Sequence, residues 1–209
     1  MADSETIGIM ADSHGDADTL AAAIRFFTAR GCRRMVHLGD ICDSVTCERS
    51  EACVRLIREN RVLAVKGNND HAVANSRILQ ENGCISAGTA AFLEGLPLQV
   101  EMARALFVHS RPFSDVLGLS AMTGDIEPAD AARFLDRCPG RVLFRGHGHT
   151  PRAIRLTETR RTTLQPAPGD RLQLEEGKAW IVTCGALFNG LCMIWAPATG
   201  IVTSHRLTS

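Results

Sequence analysis

Hydrophobic and polar positions in the first part of the chain alternate between two periods. Thr6 to Met10 sets Ile7 and Ile9 two apart, which predicts a strand. Residues 17–30 instead space Leu20, Ile24 and Phe27 four and three apart, predicting a helix that stops at Gly31. Met35 to Leu38 predicts a second strand, and residues 47–59 a second helix with Cys53, Val54 and Ile57 on one face. Val62 to Val65 reads as a short third strand. A βαβαβ order implies a parallel sheet covered by helices, because parallel neighbours need a crossover connection.

The pattern then changes. Leu98–Glu101 and Arg104–Val108 predict a tight hairpin. Pro128 suits the first position of a helix running to Arg137, with Ala131, Phe134 and Leu135 inward, and Arg141–Phe144 predicts another strand. After His149 the chain reads as mostly β, at 152–157, 171–175, 179–183, 190–196 and 201–207. No repeat or long linker interrupts it. The expectation is a single domain over residues 1–209, α/β in class, with a second, mainly antiparallel sheet.

Composition narrows the function classes. Of the 209 residues 45% are hydrophobic, an ordinary globular balance. Lys plus Arg and Asp plus Glu are 23 each, and a neutral chain makes nucleic acid an unfavoured partner. No apolar run approaches the roughly 18 residues of a membrane span. The start, Met1-Ala2-Asp3-Ser4-Glu5, is polar and acidic rather than a secretory signal, so a cytoplasmic setting is expected. None of the eight Cys forms a C-x-x-C pair, and reduced, buried thiols are expected rather than disulfides or a cysteine zinc site.

Chemistry concentrates just after the strands. Asp12-Ser13-His14 follows the first, Gly39-Asp40 the second and Gly67-Asn68-Asn69-Asp70 the third. The hairpin ends at His109, and the strand at 141–144 runs into Gly146-His147-Gly148-His149. Ligands of such sheets bind beyond the carboxyl ends of the strands, so five segments converge on one edge. Chance alone supplies about 0.4 Asp-x-His matches but only about 0.02 Gly-His-x-His matches in this composition, so the second motif is the sharper. Asp12, His14, Asp40, Asn68, His109, His147 and His149 offer two carboxylates, an amide oxygen and four imidazoles, a set suited to manganese, iron, zinc or nickel. Seven ligands exceed one tetrahedral ion and suit two ions sharing a carboxylate.

The series D-x-H, GD, GN-x-D, H and GH-x-H, spanning residues 12–149, resembles the calcineurin-like metallophosphoesterase superfamily. The resemblance implies a two-sheet β-sandwich flanked by helices, with a binuclear centre at one end. It implies that Asp12, His14 and His149 hold one divalent metal, that Asn68, His109 and His147 hold the other, and that Asp40 bridges them, manganese being the expected metal. It further implies in-line attack on a phosphoester by a metal-bridging hydroxide, with a small phosphoester as substrate.

One position departs from the pattern. Most of the superfamily has His after Gly-Asn, where it contacts phosphate and protonates the leaving oxygen; here the residue is Asn69. An amide hydrogen-bonds a phosphoryl oxygen but has no proton to give near neutral pH. The small YfcE-like bacterial phosphodiesterases, which this chain resembles in length and in His37-Leu38-Gly39-Asp40, also lack that His. Phosphodiesters with good leaving groups are therefore favoured. His71 is the candidate substitute acid, with an exposed residue on the next turn as the alternative.

Around this set, Asp70 is read as a partner orienting a metal-bound His or, equally, as an N-cap for 71–76. Arg111 is read as a bidentate phosphate contact or a solvated loop residue. Residues 112–127, with Phe113, Leu117, Leu119 and Met122, are read as a lid or as packing beneath the site. His37 and Cys42 are read as buried structural groups, and His205 as surface. Arg152, Arg155, Arg160, Arg161 and Arg171 are read as a solvent-facing hairpin in preference to a polyanion site, and 183–186 as a structural turn. Rival functions are a phosphomonoesterase, a dinucleoside-polyphosphate hydrolase and a non-catalytic metal-binding scaffold like the retromer small subunit. A homo-oligomer is compatible with the sequence.

Overall fold

A computed structural model describes residues 5–47, 49–119 and 122–207. The expectations for Met1–Ser4, and for Glu48, Ser120 and Ala121 within longer stretches, lie outside the described residues. The chain opens as read: β1 (Ile7–Met10), α1 (Ala17–Ala29), β2 (Arg34–His37), α2 (Ser50–Glu59) and β3 (Leu63–Ala64). Leu20, Ile24 and Phe27 are buried, and the Asp16 carboxylate caps α1 by accepting from Thr19 N at 3.0 Å. Helix α3 (Asn68–Ala74) overlaps the 71–76 stretch read as capped by Asp70, and two helices follow that the periodicity does not reveal, α4 (Arg77–Glu81) and α5 (Ala87–Glu94). The hairpin is β4 (Gln99–Met102) and β5 (Ala105–Val108), and α6 (Pro128–Arg137) precedes β6 (Val142–Arg145). The remainder is β7 (Arg152–Leu156), β8 (Arg161–Leu164), β9 (Arg171–Gln173), β10 (Ala179–Thr183), β11 (Leu191–Ala196) and β12 (Ile201–Arg206).

Two six-stranded sheets result, ordered β3-β2-β1-β11-β12-β9 and β4-β5-β6-β10-β7-β8. β1, β2 and β3 are parallel, as the βαβαβ order requires. The second sheet is mainly antiparallel as expected, through β4–β5, β10–β7 and β7–β8, with β6 running parallel to both β5 and β10. Ile7, Ile9, Val36, Phe107, Phe144, Val182 and Met193 join in one buried cluster drawn from both sheets. Phe27, Ile57, Val73 and Leu93 pack the helices α1, α2, α3 and α5 on the first sheet, and Phe134 packs α6 on the second. The layers are thus helix, sheet, sheet, helix. No helix among the described residues is long and apolar enough to cross a membrane.

Two expectations are corrected locally. Helix α2 starts at Ser50 rather than 47, and Cys47, ahead of it, pairs with Cys84 in a disulfide, with Cα atoms 6.1 Å apart. That pair also corrects the reading of all eight thiols as reduced; a partner 37 residues away, reached through α2 to α4, leaves no local spacing signal. The other six cysteines are free and buried, Cys42 among them.

Candidate metal centre

The carboxyl ends of β1, β2, β3, β5 and β6 deliver the chemistry-bearing residues to one end of the sandwich. Asp12, His14, Asp40, His147 and His149 all have left-handed backbone, with φ of 54°, 46°, 55°, 60° and 50°. Such conformations are costly for residues with a Cβ and persist where surrounding structure imposes them, so the concentration of strain here marks a built site. Two glycines allow the segments to touch. Gly39 has φ 86°, and a Cβ on it would meet Gly67 N and His109 Nδ1 at 2.8 Å. A Cβ on Gly67 would overlap Asp40 itself.

Two groups of potential ligand atoms form, each with its atoms within 4.8 Å of one another: Asp12, His14 and His149, and Asp40, His109 and His147. Asp40 lies against both, 3.7 Å from His14 Nε2 and 3.5 Å from His109 Nε2. His149 Nε2 is 3.8 Å from Asp12, whose two carboxylate oxygens accept the His147 N–H at 3.0 and 3.2 Å. With Asn68, whose Oδ1 lies 3.0 Å from His109 Nε2, all seven sequence-predicted ligands are brought together.

The donor set fits divalent cations. His109 Nδ1 donates to the Leu38 carbonyl at 2.8 Å, which turns an unprotonated Nε2 towards Asn68 Oδ1 at 3.0 Å and the Asp40 carboxylate. Three acceptors then converge without a proton between them. His14 Nε2 is buried and has no hydrogen-bond partner among the described residues. Burial lowers the basicity of His109 and His149 and brings His147 down to about 4, keeping these rings neutral as metal ligands require. Burial, reinforced by the nearby Asp40 charge, raises Asp12 well above the usual carboxylate range. A bound cation would relieve both penalties.

The flanking predictions fare differently. Asn69 does not project freely: its Nδ2 donates to Asp40 Oδ2 at 2.7 Å, its backbone N–H to Oδ1 at 2.8 Å, and its Oδ1 accepts from Ser44 Oγ at 2.5 Å. Among the described residues Asp70 hydrogen-bonds no histidine. One oxygen accepts from Ile41 N and Cys42 N, the other from Gly67 N, so it caps α3 and ties the Asp40 loop to the Asn68 loop. Burial and the Asp40 charge raise it to about 7. His71 faces Asn75 one turn along α3, at 3.3 Å, rather than the ligand cluster. Arg111 lies 3.7 Å from Asp130 and 3.9 Å from Glu127, which draws its guanidinium towards α6.

His37 is structural as expected, its Nε2 3.0 Å from Ser13 Oγ, and His205 packs half-buried against Phe26. Among the described residues of 112–127 there is no regular element. Leu117 and Leu119 are exposed, Met122 is buried, and the segment reaches the cluster at Gly124, whose N–H donates to His147 Nε2 at 3.1 Å. Arg155 of the basic hairpin pairs with Glu175, but Arg152 turns to Asp125 beside the cluster. Three neighbours escaped the sequence reading. Phe188 packs edge-on to His14 and His149, with ring centroids 5.3 and 5.1 Å away, and Arg145 and Asp125 pair beneath His147. A charged residue closing an otherwise apolar strand just before Gly-His-x-His is the signal that could have found Arg145.

A family model described as the calcineurin-like phosphoesterase superfamily domain matches residues 6–186. The chain belongs to that superfamily. A metallophosphoesterase of Sphaerobacter thermophilus superposes with a TM-score of 0.78 at 24% identity, covering 99% of this chain and 89% of that one. A hypothetical protein of Pyrococcus horikoshii superposes with a TM-score of 0.65 at 12% identity, covering 97% and 87%. An uncharacterised protein of Methanocaldococcus jannaschii is 24% identical over 197 residues, 87% of this chain and 75% of that protein. The two solved structures carry the fold, a two-sheet metallophosphoesterase-like sandwich, and the chain is a calcineurin-like phosphoesterase family member with candidate metal-binding residues.

Proposed function

We propose that the protein is a binuclear metal-dependent phosphoesterase that favours phosphodiesters. The observation that carries this reading is the convergence of Asp12, His14 and His149, and of Asn68, His109 and His147, on the two sides of Asp40. Two divalent cations, when bound, supply positive charge to the phosphoryl oxygens and acidify water for in-line attack. The chain's own part is positional. Asp40 stands between the two groups, and Asn69 holds both its oxygens in place. Leu38 fixes the ring of His109, and Asp12 fixes the backbone of His147.

The diester preference rests on the missing acid. Asn69 is engaged by Asp40 and Ser44 and has no titratable proton, and His71 faces Asn75. Leaving groups that depart without protonation are then favoured. The test compares bis(p-nitrophenyl) phosphate with p-nitrophenyl phosphate on manganese-loaded protein. A kcat/KM at least about tenfold higher for the diester is expected; equal or reversed values contradict the preference, and no turnover of either with metal bound favours the scaffold reading.

A further inference from the structure

Beside His147 opens a cavity of about 450 Å³, walled in part by Asp125, Arg145, Thr150, Arg152 and Gln165. Arg145 ends the central strand β6 with a fully buried side chain. Its Nη1 donates to Asp125 at 2.7 Å and its Nη2 to the Gly124 carbonyl at 3.0 Å, while its Nε has no hydrogen-bond partner among the described residues. Arg152, about a quarter exposed, donates to the same Asp125 oxygen. Desolvation opposes ionisation of Asp125, but the hydrogen bonds from Arg152 and Ile126 N together with the charges of Arg145 and Arg152 outweigh it and hold the carboxyl below its usual range. Two guanidiniums thus share the Asp125 carboxylate, with Asp12 the further acidic group near Arg145, at the wall of a cavity that touches the candidate metal centre. Burying a guanidinium carries a large desolvation cost.

We propose that this cavity is a second anion subsite, in which Arg152, with Arg145 behind it, receives a second phosphate of a substrate whose scissile phosphate lies at the Asp40 cluster. The inference rests on the phosphoesterase reading above and specifies its substrate class: phosphoesters that carry another phosphate near the one cleaved. Asp125 is the internal anion of the subsite. It keeps both guanidiniums aligned when no substrate is bound and competes with the incoming phosphate for their donors, which match phosphate oxygens bidentately.

The test compares thymidine 5′-(p-nitrophenyl phosphate) with and without a 3′-phosphate, so that leaving group and sugar stay constant. In the manganese-loaded protein the 3′-phosphorylated ester is expected to have a kcat/KM at least about tenfold higher. Arg152→Gln should bring that ratio towards one, and Asp125→Asn should raise it. A wild-type ratio near one, or a ratio unchanged by Arg152→Gln, overturns the subsite. Calorimetry with tripolyphosphate on metal-free protein supplies a readout without turnover: binding should weaken at least about tenfold in Arg152→Gln and tighten in Asp125→Asn. If the wild type cleaves neither ester, the hydrolase reading fails, and the calorimetry still decides the subsite, equal binding by wild type and Arg152→Gln overturning it.

Discussion

Asn69 holds Asp40 from two directions, its side-chain Nδ2 donating at 2.7 Å and its backbone N–H at 2.8 Å, one to each carboxylate oxygen. The residue that replaces the superfamily's acid is therefore a positioning residue for the carboxylate between the two ligand groups. Charge-assisted hydrogen bonds of this kind fix a metal ligand's orientation, and losing one costs roughly 10–100-fold in metal affinity or activity. Asn69→Ala should weaken manganese binding by about that factor while leaving the fold intact by circular dichroism. Unaltered affinity would show that the backbone bond alone suffices.

Asp70 is the link between loops. Its three backbone donors come from Ile41, Cys42 and Gly67, on both sides of the cluster. Asp70→Asn turns an NH2 towards at least one of those N–H groups and leaves a buried donor unsatisfied, costing about 2 kcal/mol. Urea denaturation should register that loss. A variant within about 0.5 kcal/mol of wild type would mean the loops hold together without it.

The pH dependence of stability should carry the signature of His37. Burial lowers its folded value to about 3, against about 6.5 unfolded. Between those values the unfolded chain binds the extra proton, so stability is present above pH 6.5 and is lost as pH falls through the window. The contribution between pH 7 and pH 5 is about 2 kcal/mol. Asp12 and Asp70, raised in the fold, act in the opposite sense, so the informative quantity is a difference. His37→Gln, which keeps a polar partner for Ser13, should show about 2 kcal/mol less loss than wild type when urea unfolding is compared at the two pH values. Parallel curves would remove His37 from the account.

Much of the fold was legible because period and punctuation agree. Ile7 with Ile9, Leu20 with Ile24 and Phe27, and Pro128 opening α6 each combine a hydrophobic spacing with a stop or a start. Helices α4 and α5 were not legible: α4 buries none of its five residues, and α5 is rich in alanine with little amphipathic contrast. The parallel pairings inside the second, mainly antiparallel sheet escaped because β6 pairs with β10 across 38 positions, Val142 opposite Trp180, a pairing no local pattern encodes. The candidate ligands were legible for the converse reason, since each follows closely on the end of a readable strand. Arg145, Asp125 and Phe188 gain their meaning only from chain segments that return to that edge.

The most direct measurement is the metal content of protein loaded with excess manganese and freed of unbound metal, taken on wild type and Asp40→Asn together with hydrolysis of bis(p-nitrophenyl) phosphate. The account predicts two ions per wild-type chain, at most one in Asp40→Asn, and a fall in turnover of about a hundredfold or more. Two firmly held ions and undiminished hydrolysis in Asp40→Asn, or no metal in the wild type, would contradict it.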